Sequence, residues 1–160
     1  MKLAATAAVF FSLPATLAYA ACDPGEPTKK PTSQYVIQGA TVYDKASNLT
    51  WQRCSVGQTW KDGAGCTGAV QVFPWAQTKA LEHDVWRLPS EAEIETLVSP
   101  TCSKPSINEE AFPNMDLKDL NYWSGTGAGP YAVYANFANG LVSTDAADEP
   151  YAVRLVRSGK

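Results

Sequence analysis

Histidine occurs once in the 160 residues, as His83, which excludes by counting a zinc centre of several imidazoles or a haem with two histidine ligands. No cofactor and no metal are expected. Charge is sparse as well: Asp, Glu, Lys and Arg together make 18% of the chain, with 16 acidic against 13 basic side chains. The net charge of −3 becomes about −4 if Lys2 is lost with a leader, a balance that disfavours nucleic acid and acidic membrane surfaces as partners. Beyond the first twenty residues no stretch is apolar over the ~20 residues that span a bilayer, so no membrane insertion of the mature chain is expected. Repeats and low-complexity runs are missing too. What is plentiful is apolar: 45% hydrophobic residues, including five Trp, seven Tyr and five Phe, are enough to build the core of one ordinary domain and argue against disorder.

The N-terminus carries the most specific local signal. Lys2 is a basic start, residues 3–17 are apolar and rich in Ala and Phe, and Ala18-Tyr19-Ala20 is a small-x-small cleavage site. Pro14 interrupts a run already too short to span a bilayer. These features predict a signal peptide over 1–20, an extended arm over 21–34 with Pro24, Pro27 and Pro31, and a domain over 35–160, the product being secreted or periplasmic. Lipidation of Cys22 is the competing reading, disfavoured by Tyr19 where an aliphatic residue is wanted three before the cysteine.

Export changes how the cysteines are read. Cys22, Cys54, Cys66 and Cys102 form an even set, which in an oxidising compartment implies two disulfides. Three connectivities are possible; Cys54 and Cys66 bracket a short Gly-rich segment that reads as one closed loop, leaving Cys22 to tie the arm to Cys102. A zinc site lacks both C-x2-C pairs and added histidines.

Periodicity predicts an α+β domain. Residues 40–43 and 49–52 read as strands around the turn Asp44-Lys45-Ala46-Ser47-Asn48. A helix is predicted over 75–83, and a second from Ser90, where Glu93 completes a capping box before Ile94, Leu97 and Val98. After Pro100 the chain reads as irregular up to Tyr122, a length that implies a function or the covering of a surface. Residues 131–138 alternate, Asn139-Gly140 suits a type I′ turn, and 141–144 return. Tyr151, Val153 and Leu155, with Arg154 on the other face, predict a last strand.

Four motifs carry a resemblance: Asn48-Leu49-Thr50-Trp51-Gln52, Trp86-Arg87-Leu88-Pro89-Ser90 with the acidic helix after it, Tyr122-Trp123-Ser124, and the closing 151–157 segment. In this order they resemble the family of bacterial exported domains named after the C-terminal domain of the Legionella collagen-like adhesin. Trp86-Arg87-Leu88-Pro89 before an acidic helix is also similar to the formylglycine-generating-enzyme group. Together these resemblances imply a C-type-lectin-like single domain with two short helices, small antiparallel sheets and long loops, and a role in surface binding, glycan attachment included.

Each candidate residue also has a plain structural role. Arg87 is expected to tie carbonyls or a carboxylate inside the fold. Trp51, Trp75, Trp86 and Trp123 could form a sugar platform, but most must be core in so small a domain. His83 has no nucleophile placed to use it. Asn108, Glu109, Glu110, Asn114 and Asp116 are oxygen donors without an EF-hand spacing and read as a solvated acidic loop. Tyr134 and Asn136, on the outer face of the 131–138 strand, are the candidate ligand contacts. The expected function is a non-catalytic, exported, adhesin-like module for a glycan or a cell-envelope or surface protein. A structural subunit of an envelope or pilus-type assembly is the alternative, with the arm and Tyr134 as contacts. An enzyme of the formylglycine-generating kind would need reactive cysteines near the C-terminus, and the last cysteine is Cys102.

Overall fold

The computed structural model describes residues 30–115 and 120–160 and the backbone of 21–22. The segment predicted as a leader with its cleavage site, most of the predicted arm, and Asp116 lie outside the described residues. Strands dominate, and they lie in small sheets joined by long connections.

The first sheet follows from local chemistry. Tyr35–Gln38 (β2), Thr41–Asp44 (β3) and Leu49–Gln52 (β4) form an antiparallel meander, and Val156–Ser158 (β13) closes it against β4. The β3–β4 turn forms because Asp44 accepts hydrogen bonds from the Ala46 amide and the Ser47 hydroxyl, both at 2.9 Å, while Asn48 takes a left-handed φ of 55°. Asparagine tolerates that conformation better than most residues.

The second sheet is mixed. It runs Leu141–Ala146 (β11), Tyr131–Asn136 (β10), Asn121–Ala128 (β9), Tyr151–Ala152 (β12) and Val72–Phe73 (β7), with β12 parallel to β9. β9 is its central strand and both of its faces are covered. Tyr122 enters a core with Trp51, Val42, Ile94, Leu97, Phe112 and Phe137, while Trp123 enters a smaller one with Ala132, Val153 and Leu155. Two minor pairs complete the set: Thr59–Lys61 (β5) with Gly65–Thr67 (β6), and Ala21–Cys22 (β1) with Cys102–Ser103 (β8).

Several expectations are corrected. The helix predicted over 75–83 is only Trp75–Thr78 (α1) followed by a 3-10 turn at Lys79–Leu81. It stops because the backbone becomes extended at Glu82 and reverses through Asp84, at φ 52°, to bridge His83 with Trp86. Glu91–Glu95 (α2) has its capping box, with Glu93 N donating to Ser90 Oγ and Ser90 N to Glu93 Oε2. The Asn139-Gly140 turn is not a two-residue type I′ turn. Of that pair only Gly140 has positive φ, the loop spans 137–140, and Gly140 N donates to Asn136 O at 2.8 Å. No continuous last strand exists, because the chain crosses from β12 in one sheet to β13 in the other. Arg154, expected to face away from its apolar neighbours, lies in the crossing and is 1% exposed. The described part of the stretch after Pro100 is irregular apart from Cys102–Ser103 and covers a surface, burying Ile107, Ala111 and Phe112 while Glu109, Glu110 and Asn114 face solvent.

Candidate functional site

Two concavities flank the Trp86-to-Pro89 motif, and the state of their polar groups separates them. The first is a cleft of about 490 Å³ between α1, the start of α2 and the bulge in β9, lined by Trp75, Lys79, Glu82, Arg87, Ser90 and Thr126 among others. The bulge arises where Ala132 pairs with Gly127 but Tyr134 pairs with Trp123, and it points Gly125 N at Pro89 O, 2.7 Å away. Arg87 grips Glu93 with both terminal nitrogens at 2.7 Å and donates to Leu88 O at 3.0 Å. The hydrogen bond from Arg87 holds the Glu93 carboxyl below its ordinary range and in turn raises the guanidinium's own affinity for its proton. Lys79 pairs with Glu82, Glu82 accepts from Leu88 N, Trp75 Nε1 donates to Ser124 O, and Thr126 Oγ1 accepts from Glu91 N. The cleft's polar groups are thus paired with one another or with the backbone, which is the behaviour of a structural joint.

The second concavity is a groove of about 470 Å³ on the opposite side of the motif. One wall is the β5–β6 hairpin, fastened by the Cys54–Cys66 disulfide; the other is the His83–Trp86 bridge with Leu81; the floor includes Gln52, Ser55, Val56 and Leu155. Trp60 and Trp86 line it from the two sides and both are half-buried. Each indole has a guanidinium over its ring, Arg53 over Trp60 at 4.1 Å and Arg157 over Trp86 at 5.7 Å, which fixes ring orientation through cation–π attraction. Arg53 is held by three carbonyls, those of Gly39, Glu110 and Ala111, so it braces Trp60 and has little left to offer a ligand. In contrast to the cleft, the Gln52 amide, the Thr59 hydroxyl, Trp86 Nε1 and His83 Nε2 have no hydrogen-bond partner among the described residues.

Residues 40–157 match the Lcl C-terminal domain, most of the chain and both walls of the groove. The chain belongs to the Lcl C-terminal domain family. No curated protein and no solved structure shows a significant match.

Within this Lcl C-terminal domain the residues singled out by sequence do not converge on one site. Tyr134 meets Trp123 edge-to-face at a ring distance of 6.2 Å and packs tilted against Tyr151 at 5.0 Å, and is half-buried. Asn136 spends its amide on the turn: Oδ1 accepts from the amides of Ala138 and Asn139, and Nδ2 donates to Asn121 Oδ1. Arg87, with Trp86, Leu88 and Pro89, forms the joint between cleft and groove. Among the oxygen-rich residues, Asn108 Oδ1 accepts from Ala111 N and Asn114 Oδ1 from Cys66 N, so both serve backbone amides. Cys54 and Cys66 are joined, their Cα atoms 5.3 Å apart. Cys102 is disulfide-bonded and its backbone lies directly opposite that of Cys22, whose side chain is outside the described residues. Trp60 was not among the tryptophans singled out by sequence. Its signal was nevertheless present, since an indole in a polar, Gly-rich disulfide loop has no local apolar partner to bury it.

Proposed function

We propose that this Lcl C-terminal domain is an exported, non-catalytic binding module on a C-type-lectin-like scaffold, recognising a glycan or a cell-envelope or surface protein through the groove. Membership of the Lcl family fits a surface-associated, adhesin-like role, and the disulfide fits an extracellular or envelope location. The single observation that carries the site is that two half-buried indoles, Trp60 and Trp86, line one groove together with amide, hydroxyl and N–H groups that have no partner among the described residues. These groups are exposed or half-buried and face solvent in a concave surface, so they are open to a polar ligand that displaces the water. The non-catalytic reading is supported by the lining hydroxyls. Ser55 Oγ is engaged by Tyr122 OH at 2.7 Å and by Arg154 Nη2, while the His83 contact among the described residues is Nδ1 with Leu81 O, so Ser55 and His83 do not form a nucleophile–base pair.

A screen of the mature protein against immobilised glycans and envelope proteins tests the reading. Saturable binding is the expected result; failure to bind any member, together with recovery in a large stable complex from native extracts, would favour a structural subunit instead. That second reading draws on the outer hairpin, where Leu141 on the edge strand and Tyr131 on the strand beside it are 51% and 58% exposed.

A further inference from the structure

The lining of the groove narrows its ligand. Its residues are Ala, Thr, Gln, Cys, Ser, Val, Trp, Leu and His, with no Asp, Glu, Lys or Arg among them. The guanidiniums near it are spent within the fold: Arg53 on three backbone carbonyls and the Trp60 ring, Arg157 on the Trp86 ring, and Arg154 on the carbonyls of Gln52 and Arg53 and on Ser55 Oγ. A charged ligand would therefore shed its hydration here without meeting a fixed opposite charge, which is costly. An uncharged ligand with an apolar ring face and hydroxyls at its edge meets complementary groups throughout. Indole faces accept C–H-rich surface, the Gln52 amide both donates and accepts, the Thr59 hydroxyl does the same, and Trp86 Nε1 donates. At about 470 Å³ the groove lies in the range of small-molecule sites. The brace from Arg53 to three carbonyls and the Cys54–Cys66 bond hold one wall in place before any ligand arrives, which lowers the ordering cost of binding.

We propose that the groove between the disulfide hairpin and the His83–Trp86 turn binds a neutral hexopyranose unit of a glycan, stacked against Trp60 and Trp86 and hydrogen-bonded by Gln52 and Thr59. This rests on the binding-module reading and fixes the chemical class of its ligand.

The test is an NMR titration of the 15N-labelled mature protein with cellotetraose, maltotetraose and β-1,4-galactotetraose, followed at the indole N–H signals. Trp60→Phe and Trp86→Phe assign two of the five resonances by deletion. At least one oligosaccharide should shift the Trp60 and Trp86 signals along a common saturation curve, while those of Trp51 and Trp123, both 0% exposed, stay in place. Gln52→Ala and Thr59→Val should each weaken binding by about fivefold, the loss of one ordinary hydrogen bond, and leave the rest of the spectrum unchanged. Silence of both signals with all three oligosaccharides overturns the proposal, as does a salt-sensitive shift with heparin alone. If those signals are silent while the glycan and envelope-protein screen still finds a ligand, the groove assignment fails and the binding-module reading stands. Silence in both experiments removes both.

Discussion

Two arginines show how similar side chains can carry different weight. Arg154 is buried with no carboxylate partner among the described residues; its guanidinium donates to the carbonyls of Gln52 and Arg53 and to Ser55 Oγ, and it lies over the rings of Phe112 and Tyr122. Desolvation lowers its proton affinity, but a guanidinium stays charged, so these acceptors are what makes its burial tolerable. Arg154→Ala should cost about 3 kcal/mol or more, through orphaned carbonyls and a cavity beneath the groove, measured as chemical denaturation midpoint and slope. Arg87 belongs to the recognisable motif, yet its side chain is 38% exposed, and water screens its pair with Glu93. Arg87→Ala should cost only about 1 kcal/mol. A larger loss for Arg87 than for Arg154 would contradict the ranking. The Arg87–Glu93 pair also has a pH signature. Because the folded-state pKa of Glu93 lies below its ordinary 4.5, the pair's contribution is complete above that value and is lost as pH falls through the folded value. The stability difference between wild type and Arg87→Ala should be constant from neutral pH to about 5 and shrink at lower pH.

At the scale of elements, what was legible in the sequence was what local chemistry decides. The Asp44 turn, the Ser90 capping box and the 131–136 strand each follow from residues a few positions apart. Ser90→Ala should cost about 1 kcal/mol, read from thermal unfolding, because it leaves Glu93 N without its cap. What was not legible depends on distant partners. The early end of α1 depends on Leu88 N, which occupies Glu82, and the split of the last strand depends on carbonyls about a hundred residues earlier that Arg154 must reach. The groove was hidden for the same reason, since Gln52, Trp60 and Trp86 meet only when three segments fold together. Gly127 shows how tight this assembly is: a Cβ there would come within 2.8 Å of the Trp75 ring, so Gly127→Ala requires the ring or the strand to shift. The disulfide hairpin is a further element with a definite role. Replacing Cys54 and Cys66 together by Ser should cost about 2–4 kcal/mol and release the Trp60 wall, seen as faster hydrogen exchange across 59–67.

For the whole molecule, charge and compartment set the conditions under which the groove works. The chain carries −3, and acidic residues crowd the exposed 145–149 turn, where Asp148 and Glu149 face solvent. The protein should therefore pass a heparin column at about 0.15 M salt without retention, since polyanion capture needs clustered basic side chains. Intact mass of the exported product should begin at Ala21. The central claim is that recognition lies in the groove and that the cleft on the other side of Trp86-Arg87-Leu88-Pro89 is a structural joint. The most direct test compares retention of wild type, the groove pair Gln52→Ala/Thr59→Val and the cleft pair Lys79→Ala/Thr126→Ala on a panel of immobilised glycans and envelope proteins. Retention lost by the groove pair and kept by the cleft pair is the predicted result; retention kept by the groove pair and lost by the cleft pair would contradict it.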